Sequence, residues 1–194
     1  KTQLAHRYDQ WASEYDVDLE EDFAWEGPQR AVEFVLKHVP SSANILDAGA
    51  GTGLVGTLLS QNNYKTLTAI DISQGMLDVA DAKGAYLDLR VMALGDELIF
   101  PSDEFDAVIC VGVLTLGHAP AHSLVELVRV TKPGGHVIFS MRPDVYENAG
   151  FKEIQTSLEA QNLWSLKEVG PGFYGMPKGE PDVLMQIWVY QITA

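Results

Sequence analysis

The chain has 194 residues, 46% of them apolar, enough for one domain with a full-sized core. Thirteen basic against 27 acidic side chains leave a net charge of −14, and with the basic residues scattered such a surface repels nucleic acid and anionic membranes. Cys110 is the single cysteine, which excludes an intrachain disulfide and a thiolate metal cluster. No apolar run approaches the ~20 residues of a membrane span. The start, "KTQLAHRYDQWASEYD", is too polar for a signal peptide, so the expectation is a soluble, cytoplasmic protein with neither nucleic acid nor membrane as partner.

In chain order, Tyr8 to Asp18 and Pro28 to Val39 read as two helices, with Pro28 suited to a first turn. From Ala43 short β-rich runs alternate with amphipathic ones. "ANILDAG" is a first strand and "TGLVGTLLSQN" its helix; "KTLTAID" is a second strand and "QGMLDVADAK" its helix. "YLDLRVMAL" and "FDAVICVGV" are the third and fourth strands, the latter holding Cys110 as a packing residue. "AHSLVELVRVT" puts Leu124, Leu127 and Val128 on one helical stripe, stopped by Lys132-Pro133-Gly134-Gly135. "HVIFSMR" is a fifth strand. "AGFKEIQTSLEAQNLW" is a helix, and "SLKEVGPGFYG" and "DVLMQIWVYQIT" form an antiparallel hairpin around a Pro/Gly turn. The alternation predicts an α/β fold, a parallel sheet with helices on both faces, as one domain spanning 1–194 without a linker.

The chemistry concentrates where the first strand ends. Gly51-Thr52-Gly53-Leu54-Val55-Gly56 spells G-x-G-x-x-G, the sign of a dinucleotide's pyrophosphate on a helix N-terminus. The same residues carry a second register, Gly49-x-Gly51-x-Gly53, with Asp47 ahead of it. A pyrophosphate requires bare amides and no carboxylate at the entry. S-adenosylmethionine (SAM) has no phosphate and carries a sulfonium and an ammonium, which an acid such as Asp47 suits. Asp71, about 20 residues past the central glycine, marks a ribose site in either reading. A dehydrogenase would also need a second, substrate-binding domain, so SAM is the expected cofactor.

"ILDAGAGTG", "AIDIS-x-GML", "FDAVIC" and "VTKPGGHVIFSM", in order and over nearly the whole chain, resemble the class I SAM-dependent methyltransferases. "YDQWASEYDVD", "GPQRAV", "SQGMLDVA" and "FDAVICVGVLTLGH" resemble, within them, the Williams–Beuren-region methyltransferase-like group. The resemblance implies a Rossmann-like, seven-stranded sheet in the order 3-2-1-4-5-7-6 with strand 7 antiparallel. It implies a helical lid over residues 1–39, SAM-binding β–α units over 43–142, and a C-terminal helix and hairpin over 149–194. Asp47, Ala48, Gly49, Gly51 and Thr52 would line the methionine and ribose portion, and Asp71 would hold the ribose hydroxyls. Ile72 and Met76 would lie against the adenine, and the backbone at Val111 and Gly112 would face the methionyl end. Tyr8 and Tyr15, on one helix face with Trp11, would belong to the lid, a tyrosine hydroxyl near the SAM carboxylate. The pattern departs from the family after the third strand, where Leu94 replaces the acid that takes the adenine amino group; backbone of Leu94 and Gly95 is expected to serve instead.

Methyl transfer requires alignment of the nucleophile at about 3–3.5 Å and exclusion of water, with a base only for a protonated acceptor. His118, on the loop leaving the fourth strand, is the candidate base; the alternative is a histidine that shapes the rim. Arg142, Trp25 and Tyr174 are candidate acceptor contacts, Arg142 for a carboxylate. No metal site is expected. No Asp/Asn-Pro-Pro-Tyr/Phe segment follows the fourth strand and no Pro-Cys pair occurs, which disfavours nucleobase acceptors. A SAM-dependent methyltransferase of a small-molecule O, N or S is the expectation; the rivals are a SAM-binding module acting through a protein partner and an NAD-dependent oxidoreductase.

Overall fold

In a computed structural model that describes residues 1–193, the β-rich runs pair into one sheet; residue 194, the last of the expected domain, lies outside the described residues. The strands are β1 (Asn44–Ala48), β2 (Thr66–Asp71), β3 (Asp88–Val91), β4 (Phe105–Cys110), β5 (Thr131–Met141), β6 (Trp164–Val169), β7 (Phe173–Met176) and β8 (Glu180–Ile192). Their order is β3-β2-β1-β4-β5-β8-β6, with β7 pairing β8 off this path. β1 to β5 run parallel and β8 lies antiparallel between β5 and β6. This is the expected order, the expected seventh strand being β8. The addition is β7: Gly170-Pro171-Gly172 interrupts the first arm of the hairpin, so that arm becomes two strands on one partner.

The helices are α1 (Thr2–Trp11), α2 (Tyr15–Val17), α3 (Gly27–His38), α4 (Leu54–Gln61), α5 (Gln74–Ala82), α6 (Ser123–Val130), α7 (Pro143–Asn148) and α8 (Phe151–Ala160), with a π-helical turn over Asp18–Phe23. Strand alternation divides the core. Leu46 and Ala48 face a layer with Leu124, Leu127 and Leu158 of α6 and α8. Ile45 faces the other layer, with Val32 and Val35 of α3, Leu59 of α4 and Leu77 of α5. Leu46 and Ile45 have no exposed surface, and burying each contributes about 1.5–3 kcal/mol.

Local chemistry sets the ends. Pro28 sits in the first turn of α3 and Lys37 and His38 in its last, matching the helix dipole. Ser73 caps α5, its hydroxyl accepting from the Met76 amide at 3.1 Å. Lys132-Pro133-Gly134-Gly135 stops α6 as expected, but within the start of β5, where the pairing with β4 shifts register. Gly135 is required there: a Cβ would stand 2.5 Å from the Asp106 carbonyl oxygen. The first expected helix differs most. It begins earlier, at Thr2, and breaks after Trp11 rather than running to Asp18.

Strand order reverses at β1 and β4, so their C-terminal ends diverge into a crevice, the place where open α/β sheets hold ligands.

Candidate functional site

A cavity of about 530 Å³ fills that crevice, within the range of small-molecule pockets. Its floor is the loop after β1 and the ends of β2 and β4; α1, α2 and the π-helical turn form its roof.

The floor turns on glycines at positive φ, Gly49 (+84°), Gly51 (+55°) and Gly53 (+83°). A Cβ at Gly51 would meet no atom within 4 Å, so the backbone there borders open space. Four amides of this loop are committed within the chain. Gly49 and Ala50 both donate to the Ile70 carbonyl, at 2.8 and 3.0 Å, and Gly53 donates to Ala50 at 2.9 Å. Gly51 donates to Asp71 Oδ2 at 2.9 Å. Gly51, the first glycine of the literal pattern, thus gives its amide to a carboxylate of the chain itself, and Gly53, the second and the one a pyrophosphate would approach, gives its amide to Ala50. Asp71 Oδ1 accepts from the Ser73 amide at 2.9 Å. Each oxygen retains a lone pair for a ribose hydroxyl, and Asp71 lines the cavity. Burial raises its pKa, opposed by these backbone donors.

Asp47 is elsewhere. It does not line the cavity; at 1% exposure it points with Ile45 toward the α4–α5 side of the sheet. There Oδ2 accepts from the Tyr86 hydroxyl at 2.5 Å, while Oδ1 has no hydrogen-bond partner among the described residues. Burial pushes its carboxyl up to about 7. The expected contact with the donor's cationic end is therefore corrected: strand alternation turns this side chain beneath the loop. Tyr86 also explains the literal G-x-G-x-x-G. A Cβ at Gly56 would stand 2.2 Å from the Tyr86 ring, and the Gly56 amide donates to its hydroxyl at 3.0 Å. That third glycine lets α4 pack on a tyrosine and does not line the cavity.

Gly49, Gly51, Thr52, Asp71, Ile72, Met76, Leu94 and Val111 line the cavity, as do Tyr8, Tyr15, Trp25, His118 and Arg142. Ala48 does not, being packed into the core by the alternation that turns Asp47 the other way. Gly95 does not either: it turns at φ +91°, a Cβ there would strike Pro120, and its carbonyl lies 3.1 Å from His122 Nε2. Asp96 pairs with Lys1 at 2.7 Å. The apolar wall beside Asp71 is Ile72, Met76, Met92 and Leu94; sequence reading missed Met92, which carries no pattern to betray it.

The roof is pinned by carboxylates that motif reading passed over. Asp9 Oδ1 accepts from the Ser73 hydroxyl at 2.6 Å and the Gly75 amide at 3.0 Å. Asp16 accepts from Thr52 Oγ1 and from Lys83 Nζ, both at 2.5 Å, so the Thr52 hydroxyl serves the roof. Tyr8, Trp11 and Tyr15 keep one aromatic cluster across the helix break, Trp11 lying 6.2 Å from Tyr8 and 4.6 Å from Tyr15. The Tyr8 hydroxyl meets His118 Nε2 at 2.7 Å. Burial raises the Tyr15 pKa and lowers that of His118, so the phenol is protonated and the imidazole neutral at pH 7.

At the far end Trp25 is held between glycines of three segments. A Cβ at Gly27, Gly112 or Gly175 would stand 2.2, 3.2 or 2.9 Å from its indole. The Gly112 amide donates to the buried Ser140 hydroxyl at 2.8 Å. Arg142 gives Nε and Nη2 to Asp144, at 3.0 and 2.8 Å, leaving Nη1 uncommitted among the described residues. Tyr174 is corrected: 56% exposed on β7, it is no part of the cavity, because its strand neighbour Gly175 is the residue turned inward against Trp25. Among the described residues no group of three or more His, Cys, Asp or Glu is placed to hold a metal ion, and no helix is long and apolar enough to cross a membrane.

Residues 46–139 match a family described as "Methyltransferase domain". The chain is 38% identical over 170 residues to human methyltransferase-like protein 27, covering 84% of this chain and 68% of that protein. It is 28% identical over 158 residues to the ubiquinone biosynthesis O-methyltransferase of Xylella fastidiosa, covering 71% of this chain and 64% of the relative. In fold it matches the [4+2]-cyclase SpnF with a TM-score of 0.76 at 16% identity, over 99% of this chain and 96% of that one. A glycine loop whose Gly49, Ala50, Gly51 and Gly53 amides are bonded within the chain, at the switch point of this sheet order, agrees with that kinship: the chain belongs to the class I SAM-dependent methyltransferases, enzymes whose cofactor is S-adenosylmethionine.

Proposed function

We propose that the cavity holds SAM over β1 and β2 and moves its methyl group by in-line displacement to an O, N or S atom of a small-molecule acceptor lying between His118, Trp25 and Arg142. One observation supports this above the rest: the Gly51 amide of the glycine loop is taken by Asp71, a residue of the cavity lining whose carboxylate keeps lone pairs to accept from a ribose. SAM contributes a methyl carbon activated by its sulfonium; the chain's part is to bind, align and exclude water. Asp71 takes the ribose hydroxyls, Ile72, Met76, Met92 and Leu94 clasp the adenine, and backbone at Gly49, Gly51 and Val111 follows the methionyl chain. The Tyr15 hydroxyl, with no hydrogen-bond partner among the described residues, takes the SAM carboxylate.

Residues 1–39 act as a lid on a single domain, and a cavity of about 530 Å³ shared by donor and acceptor suits a metabolite rather than a macromolecule. Trp25, fixed by its glycines, gives a rigid wall for an apolar acceptor body. Asp144 orients the Arg142 guanidinium so that Nη1 meets an acceptor carboxylate. His118, neutral and beside the methyl path, takes the proton of an acceptor that arrives protonated. The test is methyl release from SAM across a panel of small hydroxy, amino and thiol acids. The reading requires turnover with at least one class, lowered by His118→Ala with SAM affinity intact; turnover only on protein or nucleic acid would overturn it.

A further inference from the structure

The contact between Tyr8 and His118 joins the roof to the candidate base across 110 residues of sequence. On the other side of the ring, Nδ1 lies 3.3 Å from the Leu116 carbonyl, which can only accept. Nδ1 therefore bears the ring proton, and the Nε2 lone pair receives the Tyr8 O–H. Burial holds the phenol protonated and the imidazole neutral. Of the charged groups around the pair, Arg7 of α1 disfavours the imidazolium but favours the phenolate, which burial first and Asp71 at the end of β2 oppose. The contact exists only while α1 is docked, and Asp9, the next residue, is what ties α1 to the start of α5.

We propose that Tyr8 is a positioning residue that couples lid docking to the base: its hydroxyl fixes His118 in the Nδ1–H form and occupies, at Nε2, the place an acceptor's own O–H or N–H must take. The proposal rests on His118 being the base of the reaction above. An acceptor engages by replacing one donor with another at the same lone pair. In the transfer the acceptor's lone pair forms the bond to the methyl carbon and the C–S bond breaks with its electrons on sulfur. The acceptor's proton passes to Nε2, leaving an imidazolium. A thioether or a tertiary amine offers Nε2 no hydrogen and leaves Tyr8 in place, so the acceptor class narrows to hydroxyl, thiol and protic-amine compounds.

Long-range 1H–15N correlation spectra of the full chain, without ligands, test the coupling; the His118 signal is assigned by its loss in His118→Gln. The wild type should show the Nδ1–H tautomer and titrate below the ordinary histidine value. Tyr8→Phe keeps the ring cluster with Trp11 and removes the O–H that favours the neutral ring. It should shift population toward Nε2–H and raise the His118 pKa. Asp9→Ala, which keeps the Tyr8 hydroxyl and removes the acceptor of the Ser73 and Gly75 bonds, should shift both in the same direction. A wild-type Nε2–H tautomer, or a tautomer and pKa unmoved in Tyr8→Phe, would overturn the proposal. Failure of the base assignment is read separately, as undiminished turnover in His118→Gln.

Discussion

Asp47 and Asp71 end neighbouring parallel strands, yet one is sealed beneath the glycine loop and the other braces it. The sequence shows two acids at two strand ends. What it does not show is which face each side chain takes, because one residue of strand register decides that. The choice of SAM over a dinucleotide stands on Asp71 instead of Asp47. The buried acid has its own signature. Its folded pKa, about 7, lies above the unfolded value, so its stabilising effect is present at low pH and is lost as pH rises through about 7. Asp47→Asn removes this loss, and the Tm of the variant minus that of wild type should increase between pH 5 and 8, by the equivalent of about 1–3 kcal/mol. A flat difference across that window would mean that Asp47 is charged throughout. Gly56→Ala forces a methyl into the Tyr86 ring, and urea unfolding should show a loss of about 1–3 kcal/mol; unchanged stability would return that glycine to a ligand-facing role.

At the scale of elements, the strands and core helices were legible because their apolar spacing sees only the nearest neighbours in the sheet. Two of the misread segments are governed by contacts distant in sequence. The first helix ends at Trp11 although Tyr8, Trp11 and Tyr15 keep helical spacing; the turn that follows is shaped by Asp16 reaching Thr52 and Lys83, and by the Trp11 indole donating to Asp18 at 2.5 Å. The hairpin arm splits into β6 and β7 at Gly170-Pro171-Gly172, where a Cβ at Gly170 would stand 2.5 Å from the Phe34 ring. If two carboxylates hold the lid, replacing both Asp9 and Asp16 by Ala should speed amide hydrogen exchange in α1 at least tenfold while the amides of β1 and β4 keep their protection. Equal loss of protection in the sheet would instead make α1 part of the global folding unit.

For the molecule as a whole, function follows from one topological fact, the reversal of strand order between β1 and β4, which opens a crevice that the roof then closes. The site was half legible from sequence: the glycine loop, Asp71 and His118 stand in motifs, whereas Asp9, Arg7 and Met92 reach the site only through the fold. Net charge decides little inside it, since the cavity mixes Lys1, Arg7 and Arg142 with Asp71 and Glu180. Asp71 carries the account. Calorimetric titration of wild type and Asp71→Ala with SAM, its demethylated product and NAD is therefore the direct measurement. The account predicts that SAM and the product bind, that NAD does not, and that the substitution weakens SAM by about 1–3 kcal/mol. Binding of NAD with none of SAM, or undiminished SAM affinity in the variant, would contradict it.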